Sequence, residues 1–580
     1  MRLSRRFASI TVAFAVVATS LGGVAQSAEA HPHRHKPKDV KLQVLSFNDF
    51  HGHLQPPGGT DATLGEQLDP TGTEVGGAEY LASTLTKLRA KARNSHTVAA
   101  GDLIGGSPFV SGLFHDEPAV ESLNAMGMDV SGVGNHEFDE GVKELLRMQY
   151  GGCHRDDGCY EQWGEGGYPG ADFPWLAANV VDEKTGKTVL PGSTIRRVQG
   201  VKVGYIGMTL EATPALVAQA GIRDIDFRDE VETANATAKR LKKRGVKTII
   251  VLLHEGGYQT GTYRDCTGIS GPIVEIAEDL DPEIDLVVTG HTHQPYVCNI
   301  PDPKGRDRMV TSAASYGRVV TETTLTINPR NGQVKRNKTT SKNHLVTRTN
   351  PDPTQTEIVN RWTAASEVVG NEVIGSITAD INRSPDRNTE APLGNLIADA
   401  QLAATSSAAN GGAQIALMNP GGVRADLTYA PSKDGGEAPG EVTYSEAFDV
   451  QPFGNLLVTM DLTGAQIERL LEQQAVTGRP GGRDVLIFGV SGGFTFSYDA
   501  AAPVGSRIDP ASVKLNGTTL DPGASYRIVT NSFLADGGDS FSVFTEGTNR
   551  SGGGDDLVAL IDYLGANSPV APPGNRIAGI

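Results

Sequence analysis

Five apolar runs in the first half of the chain each stop at residues that bind metal or move protons. Val246 to Leu253 is almost wholly apolar and β-branched, as a strand buried on both faces requires, and it stops at His254. Asp285 to Thr289 leads into Gly290-His291-Thr292-His293. Leu42 to Phe47 leads into Asn48-Asp49-Phe50-His51, and Thr97 to Ala100 into Gly101-Asp102. Val130 to Val133 leads into Gly134-Asn135-His136-Glu137-Phe138-Asp139. Ligands in α/β proteins gather beyond the carboxyl ends of strands, so these residues are expected to converge. Asp49 and His51 are read as i and i+2 on an extended stretch, facing one side so that one ion is gripped by both.

The donors are Asp49, His51, Asp102, Asn135, His254, His291 and His293. Seven oxygen and nitrogen donors without a thiolate are too many for one tetrahedral zinc. They suit two divalent metals with Asp102 as the bridging carboxylate, and imidazole-rich ligation favours Zn, Mn, Fe or Co. Two such metals sit roughly 3.5–4 Å apart and clamp the nucleophilic and leaving oxygens of an in-line displacement. His136 can donate or relay a proton, and Asp139, three residues on, can hold its ring. One histidine at a strand end is usually structural; five elements in this order carry the argument together.

At 580 residues the chain is too long for one core, which predicts two domains. A formal net charge of −17 makes nucleic-acid polymers and anionic membranes poor partners. Any phosphate must then meet local cations, either metals or a few arginines. Arg2, Arg5 and Arg6, an apolar run from Phe7 to Val17 and Ala28-Glu29-Ala30 read as a secretory signal over residues 1–30. No second long apolar stretch follows, so the expectation is a secreted protein without a stable membrane anchor, monomeric or homodimeric. Residues 31–40, His-rich and broken by proline, read as a disordered lead-in. Cys153, Cys159, Cys266 and Cys298 suggest two disulfides in an oxidising compartment. Proximity favours Cys153–Cys159 and Cys266–Cys298 among the three pairings four cysteines allow.

Helical spacing predicts a helix over Tyr80 to Arg93, and Ala177 to Val180 reads as a strand. Composition turns polar and Pro-rich around Asn343–Thr356, and Glu357 to Val369 reads as a helix after that linker. The expected domains are 41–345 and 371–565, joined by a linker and hinge helix over 346–370. In the second domain, Leu393 to Ala404 and Gln466 to Gln474 read as helices, and Ala413 to Met418 and Tyr526 to Asn531 as strands.

The order Asp-x-His, Gly-Asp, Gly-Asn-His-Glu, His, Gly-His-x-His resembles the calcineurin-like metallophosphoesterase superfamily. The second half adds Leu393-Gly-Asn-Leu-Ile-Ala-Asp-Ala400, Asn419-Pro-Gly-Gly-Val-Arg424 and Phe533-Leu-Ala-Asp-Gly-Gly-Asp539. The combination resembles the secreted 5′-nucleotidases, with their UDP-sugar hydrolase and 2′,3′-cyclic phosphodiesterase relatives, over nearly the whole mature chain. The resemblance implies an α/β protein: an N-terminal metallophosphoesterase β-sandwich flanked by helices, a linker helix, and a C-terminal α+β substrate domain. It implies one metal on Asp49, His51, Asp102 and His293, the other on Asp102, Asn135, His254 and His291, and a catalytic His136–Asp139 dyad. The match departs at His293, where familiar members carry an amide, which leaves metal preference open.

It further implies that Arg387 and Arg424, with Arg383 as a weaker candidate, bind phosphate. Asn419 and Asp539 would contact base or ribose, and Phe453 and Phe533 would sandwich the base. Stacking of a planar base and bidentate arginine contacts agree with that division. The implied activity is removal of the 5′-phosphate from nucleotides by attack of metal-activated hydroxide. Cyclic or diphosphate substrates are the alternatives on the same scaffold. A non-catalytic nucleotide-binding surface protein is a different class, against which the intact donor set argues.

Overall fold

The computed structural model describes residues 38–580, apart from 218–220, 432–435 and 480–481. The expected signal segment and residues 31–37 of the lead-in lie outside the described residues. Two six-stranded sheets form the first domain. One runs in the order Thr340–Leu345, Val319–Ile327, Val40–Phe47, Ser95–Ala100, Val130–Gly132, Trp175–Leu176. The other runs Tyr296–Pro301, Asp307–Ser312, Ile284–Thr289, Thr248–His254, Val201–Thr209, Ser193–Val198. The strands that precede the expected donors all pair in parallel within their sheet, which sends their carboxyl ends to one rim.

Between the sheets, Leu42, Val44, Val98 and Val130 pack with Val203, Ile250, Leu252 and Leu286, all buried. Outer faces are covered by helices. Ala78–Arg89 buries Leu81, Leu85 and Leu88, and Glu230–Lys243 starts where the Asp229 side chain accepts from Glu232 N–H. The Ala78–Arg89 helix ends four residues before the expected Arg93. Of the strand expected over Ala177 to Val180, only Val180 is in one, as the first residue of Val180–Asp182. Pairing breaks between Trp175–Leu176 and Val180–Asp182 because the Asn179 amide donates to Thr209 O (2.7 Å) and Arg228 O (3.0 Å), holding the chain between sheets.

The polar stretch expected around Asn343–Thr356 begins inside a strand, and the linker bound at 346 falls directly after it. Thr340–Leu345 is an edge strand antiparallel to Val319–Ile327. Asn343 is fully buried and joins three segments: it accepts from Thr321 Oγ1 (2.6 Å) and donates to Tyr263 O (2.8 Å) and Ser312 O (2.9 Å). The following helix runs Pro353–Gly370, four residues earlier than expected, because Asp352 caps it and Pro353 suits its first turn. It is fastened to the first domain. Gln355 exchanges hydrogen bonds with Ser122 (2.6 and 3.0 Å), Trp362 Nε1 donates to Glu121 (2.8 Å), and the Trp362 ring lies 4.8 Å from Phe114.

In the second domain a sheet runs Gly489–Val490, Ile415–Met418, Ser525–Asn531, Leu456–Thr463, Thr548–Asp555. Pro392–Thr405 and Asp556–Asn567 contribute Leu393, Leu396, Leu560 and Leu564 to one core cluster. Gly464–Glu472 contributes Ile467, Leu470 and Leu471 to another. That helix starts before the expected Gln466 because Thr463 and Gln466 form a reciprocal capping box. The domain also outruns its expected end at 565. Ile577–Ala578 pairs with Phe494–Ser497, and Arg576 bridges to Asp399 at 2.6 Å. Cysteines pair as Cys153–Cys159 and Cys266–Cys298.

Replacing Asn343 by alanine strands two carbonyls and a hydroxyl in the interior. Chemical denaturation of Asn343→Ala should show a loss of about 2–3 kcal/mol; a loss under about 0.5 kcal/mol would mean the triple tie is dispensable.

Candidate functional site

Both sheets deliver their donors to the same rim. Asp49 and His51 follow Val40–Phe47, Asp102 follows Ser95–Ala100 and Asn135 follows Val130–Gly132. From the other sheet, His254 ends Thr248–His254, and His291 and His293 follow Ile284–Thr289. Asp49 and His51 are not on an extended stretch, however. Their φ angles are 51° and 46°, so both lie in the left-handed region. Once the strand ends, backbone bonds from Asp49 N to Gly101 O (3.1 Å) and His51 N to Asp102 O (3.0 Å) curl the chain along its neighbour. Asp102, His291 and His293 are left-handed too, at 49°, 70° and 57°. Such conformations are strained for residues with a Cβ and concentrate at functional sites. Gly134 makes the approach possible: a Cβ there would meet Asp102 Oδ1 at 2.1 Å.

Asp102 is the hub. Its Oδ2 lies 2.9 Å from His254 Nε2 and 3.7 Å from His51 Nε2, and its Oδ1 accepts from His136 N–H at 2.9 Å. Glu137 supports the turn, accepting from Asp102 N–H (2.9 Å), Leu103 N–H (2.8 Å) and Gly134 N–H. Asp49 accepts from His291 N–H at 3.0 and 3.1 Å, and its Oδ1 lies 3.2 Å from His293 Nε2. Asn135 Oδ1 lies 3.1 Å from His291 Nδ1.

Donor chemistry fits divalent cations. Two triads, Asp49–His51–His293 and Asp102–His254–His291, each place their ligand atoms within 4.8 Å of one another. His51 and His291 are buried imidazoles whose Nε2 atoms have no hydrogen-bond partner, and His254 Nε2 meets only the Asp102 carboxylate. The opposite nitrogen of His51 is tied to Gly105 O (2.7 Å) and that of His254 to Ala100 O (2.7 Å). Metal-binding histidines are held this way, one nitrogen on a carbonyl and the other free for the ion. Burial pushes the His51, His291 and His293 imidazoles toward the neutral form that ligates. Burial opposes charge on His254 as well, but the Asp102 carboxylate outweighs it and raises that imidazole to about 10. Bound metal would replace that proton.

His136 stands beside the donors. Its Nδ1 bonds Asp139 at 2.7 Å, which leaves Nε2 to give or take a proton. Burial disfavours its charge, and Asp139 and Asp102 together overcome that to raise its pKa. The Phe453 ring of the second domain stacks on it, centroids 5.8 Å apart at 18°.

The cavity above these groups is walled on its far side by Arg387, Asn419, Arg424, Phe453, Phe533 and Asp539. Asn419 donates to Asp539 Oδ2 at 2.9 Å. Phe533 lies flat over Gly538, where a Cβ would meet its ring at 2.5 Å. Burial and the neighbouring Arg483 and Arg424 lower the Arg387 guanidinium to about 9, a crowding that an anion would relieve. Arg383 is not in this wall. It pairs with Asp61 of the Gly- and Thr-rich loop, and its backbone N–H donates to Asp426 at 2.8 Å.

Arg483, Asn455 and Asn531 also line the cavity, and the sequence reading singles out none of them. Asn531 ends Ser525–Asn531, parallel to the strand before Asn419, so the strand-end rule would have found it. Asn455 directly follows the loop that carries Phe453. Arg483 lies in a glycine-rich loop with no signal of its own.

A two-sheet sandwich with this donor rim defines a metal-dependent phosphoesterase. Residues 42–295 match the calcineurin-like phosphoesterase model, and residues 373–546 match the 5′-nucleotidase C-terminal domain. The chain is 32% identical over 541 residues to Endonuclease YhcR of Bacillus subtilis, covering 92% of this chain and 40% of that protein. It is also 32% identical over 556 residues to the cell wall protein Lmo0130 of Listeria monocytogenes, covering 90% of this chain and 67% of that one. The crystal structure of a 5′-nucleotidase precursor from Thermus thermophilus superposes with a TM-score of 0.74 at 27% identity, covering 93% of this chain and 99% of that one. The chain belongs to the 5′-nucleotidase family of calcineurin-like metallophosphoesterases. No described helix is long and apolar enough to cross a membrane.

The free nitrogens predict stabilisation by metal. Mn²⁺ or Zn²⁺ should raise Tm by at least about 3 °C over chelated protein. His291→Ala should remove most of that rise in scanning calorimetry; an undiminished rise would place the ions elsewhere.

Proposed function

We propose that the chain is an exported phosphohydrolase that removes the 5′-phosphate of nucleotides, with two divalent ions at the rim of its first domain. One observation carries this: a single cavity has four of the donors (Asp102, Asn135, His291 and His293) and His136 on one wall, and arginines with two phenylalanines on the other. A phosphate needs cations on several sides, and a planar base needs an aromatic face.

One ion would be held by Asp49, His51, Asp102 and His293, the other by Asp102, Asn135, His254 and His291. Divalent ions at such a pair supply Lewis acidity and neutralise phosphate charge. Arg387 and Arg424 would hold phosphate oxygens. Hydrolysis splits the P–O5′ bond: a water oxygen ends on phosphorus, and a proton must reach O5′. His136 Nε2 would deliver it, with Asp139 holding the ring. Phe453 and Phe533 would take the base, and Asn419 and Asp539 would bond base or ribose. Since Pro353–Gly370 is fastened to the first domain, the turn at Asn371–Glu372 is the natural pivot for the second. The basic, then apolar, N-terminal segment and two disulfides support export.

Arg483 favours one second reading. A third guanidinium on the cavity wall suits a substrate with a further phosphate, as in a UDP-sugar.

The test is phosphate release from AMP, other 5′-monophosphates, UDP-glucose and 2′,3′-cyclic AMP, with Mn²⁺ or Zn²⁺ and with chelator. Metal-dependent release favouring 5′-monophosphates is expected. His136→Ala should lower kcat by about 10²–10⁴-fold with metal content unchanged. No turnover with any metal, in folded protein that still binds nucleotide, would sink the enzyme reading. Gly538→Ala should displace the Phe533 ring and raise KM for AMP by roughly 3–10-fold, the worth of one aromatic contact, with kcat little changed. An unaltered KM would remove Phe533 from the base pocket.

A further inference from the structure

Away from the cavity, a second group of imidazoles and carboxylates gathers beside the small disulfide loop. His115 and His154 stack with ring centroids 3.6 Å apart and planes 20° apart. Asp157 closes one end of the stack, its Oδ2 lying 2.7 Å from His115 Nε2 and 3.6 Å from His154 Nδ1. Glu140 closes the other, its Oε2 lying 2.9 Å from His115 Nδ1 and 3.8 Å from His154 Nε2. The ligand atoms of His115, His154 and Asp157 all lie within 4.8 Å of one another.

We propose that His115 Nε2, His154 Nδ1 and Asp157 Oδ2 form a further binding site for a divalent transition-metal ion, separate from the catalytic cluster. Two nitrogens and a carboxylate are a donor set for the zinc class of ions, and the half-exposed Asp157 leaves room for water as a fourth ligand. Asp157 N–H donates to His154 Nδ1 at 3.2 Å, so the proton of that ring sits on Nε2, toward Glu140, and an ion would take the Nδ1 lone pair in place of this long bond. His115 can likewise present Nδ1–H to Glu140 and its Nε2 lone pair to the ion. Glu140 then orients both rings from behind, as carboxylates do behind zinc-bound histidines.

The site is held in advance. Asp157 and His154 lie in a loop closed by Cys153–Cys159 and by paired backbone bonds between His154 and Gly158 (2.9 and 3.1 Å). His115 is fixed in a left-handed conformation, φ 49°. An ion there would bind the disulfide loop to the ring partnered by Glu140, the residue directly after Asp139.

The test counts zinc on the full chain by mass spectrometry of dialysed protein, in chelator-buffered micromolar Zn²⁺, for wild type, His154→Ala and Asp157→Asn. Each variant should hold one equivalent fewer than wild type, with phosphate release within about twofold. Comparing variants with wild type cancels any zinc taken by His31, His33 and His35, which all three forms carry. Equal counts in all three forms overturn the site. A loss in only one variant overturns the three-donor assignment, and Asp157→Asn, at an exposed position, guards against a folding defect in His154→Ala.

Discussion

Asp49 and Asp102 are carboxylates with essentially no solvent exposure, and a buried charge without partners is among the most costly things a fold can contain. The architecture of the first domain answers that constraint. Asp102 is surrounded by His254, His51 and the His136 amide, and Asp49 by the His291 amide and His293. Those partners come from both sheets, so the two sheets must be packed face to face with their parallel strands pointing the same way. Left-handed backbone at five of the donors is the local consequence of turning every strand end inward. The Nε2 atoms of His51 and His291 still lack partners, and divalent cations would complete the balance in charge and in coordination.

The second domain would supply what such a rim lacks: recognition. Phe453 reaches across to stack on His136, while Arg424 lies over the Phe453 ring at 5.6 Å. A second contact braces this approach, where Phe109 packs its ring against Phe448 and Tyr444 and donates its N–H to Asp449 at 2.5 Å. Arg383 and Asp61 add an ion pair between the same two bodies. The cavity therefore exists only while the domains meet, and His136 is covered by an aromatic ring that would also read the base.

The donors of the first domain can be read from the chain because each follows a short apolar run, and a parallel sheet sends such ends to one place. How they get there cannot be read. Asp49 and His51 look like alternate residues of a strand, but the strand stops at Phe47 and left-handed turns do the work. Arg383 and Arg387 are four residues apart on one loop, and nothing local tells which meets the cavity. The answer depends on Asp61, more than 300 residues earlier, which captures Arg383. Asn343 misleads for a related reason: a polar residue in a polar stretch looks solvated, yet its three partners come from distant strands and loops. Arg483 leaves no trace because a lone arginine among glycines is ordinary in surface loops.

The central claim is that one cavity joins metal-assisted phosphate chemistry to recognition of a nucleoside. Its most direct test is the ratio of kcat/KM for AMP to that for a plain aryl phosphate, measured with metal-loaded protein. Both substrates would meet the same metals, arginines and His136, but only AMP would engage Phe453, Phe533, Asn419 and Asp539. The account predicts a ratio of at least about tenfold, the worth of one or two stacking contacts, with both rates abolished by chelator. Equal values, or release that survives chelation, would contradict it.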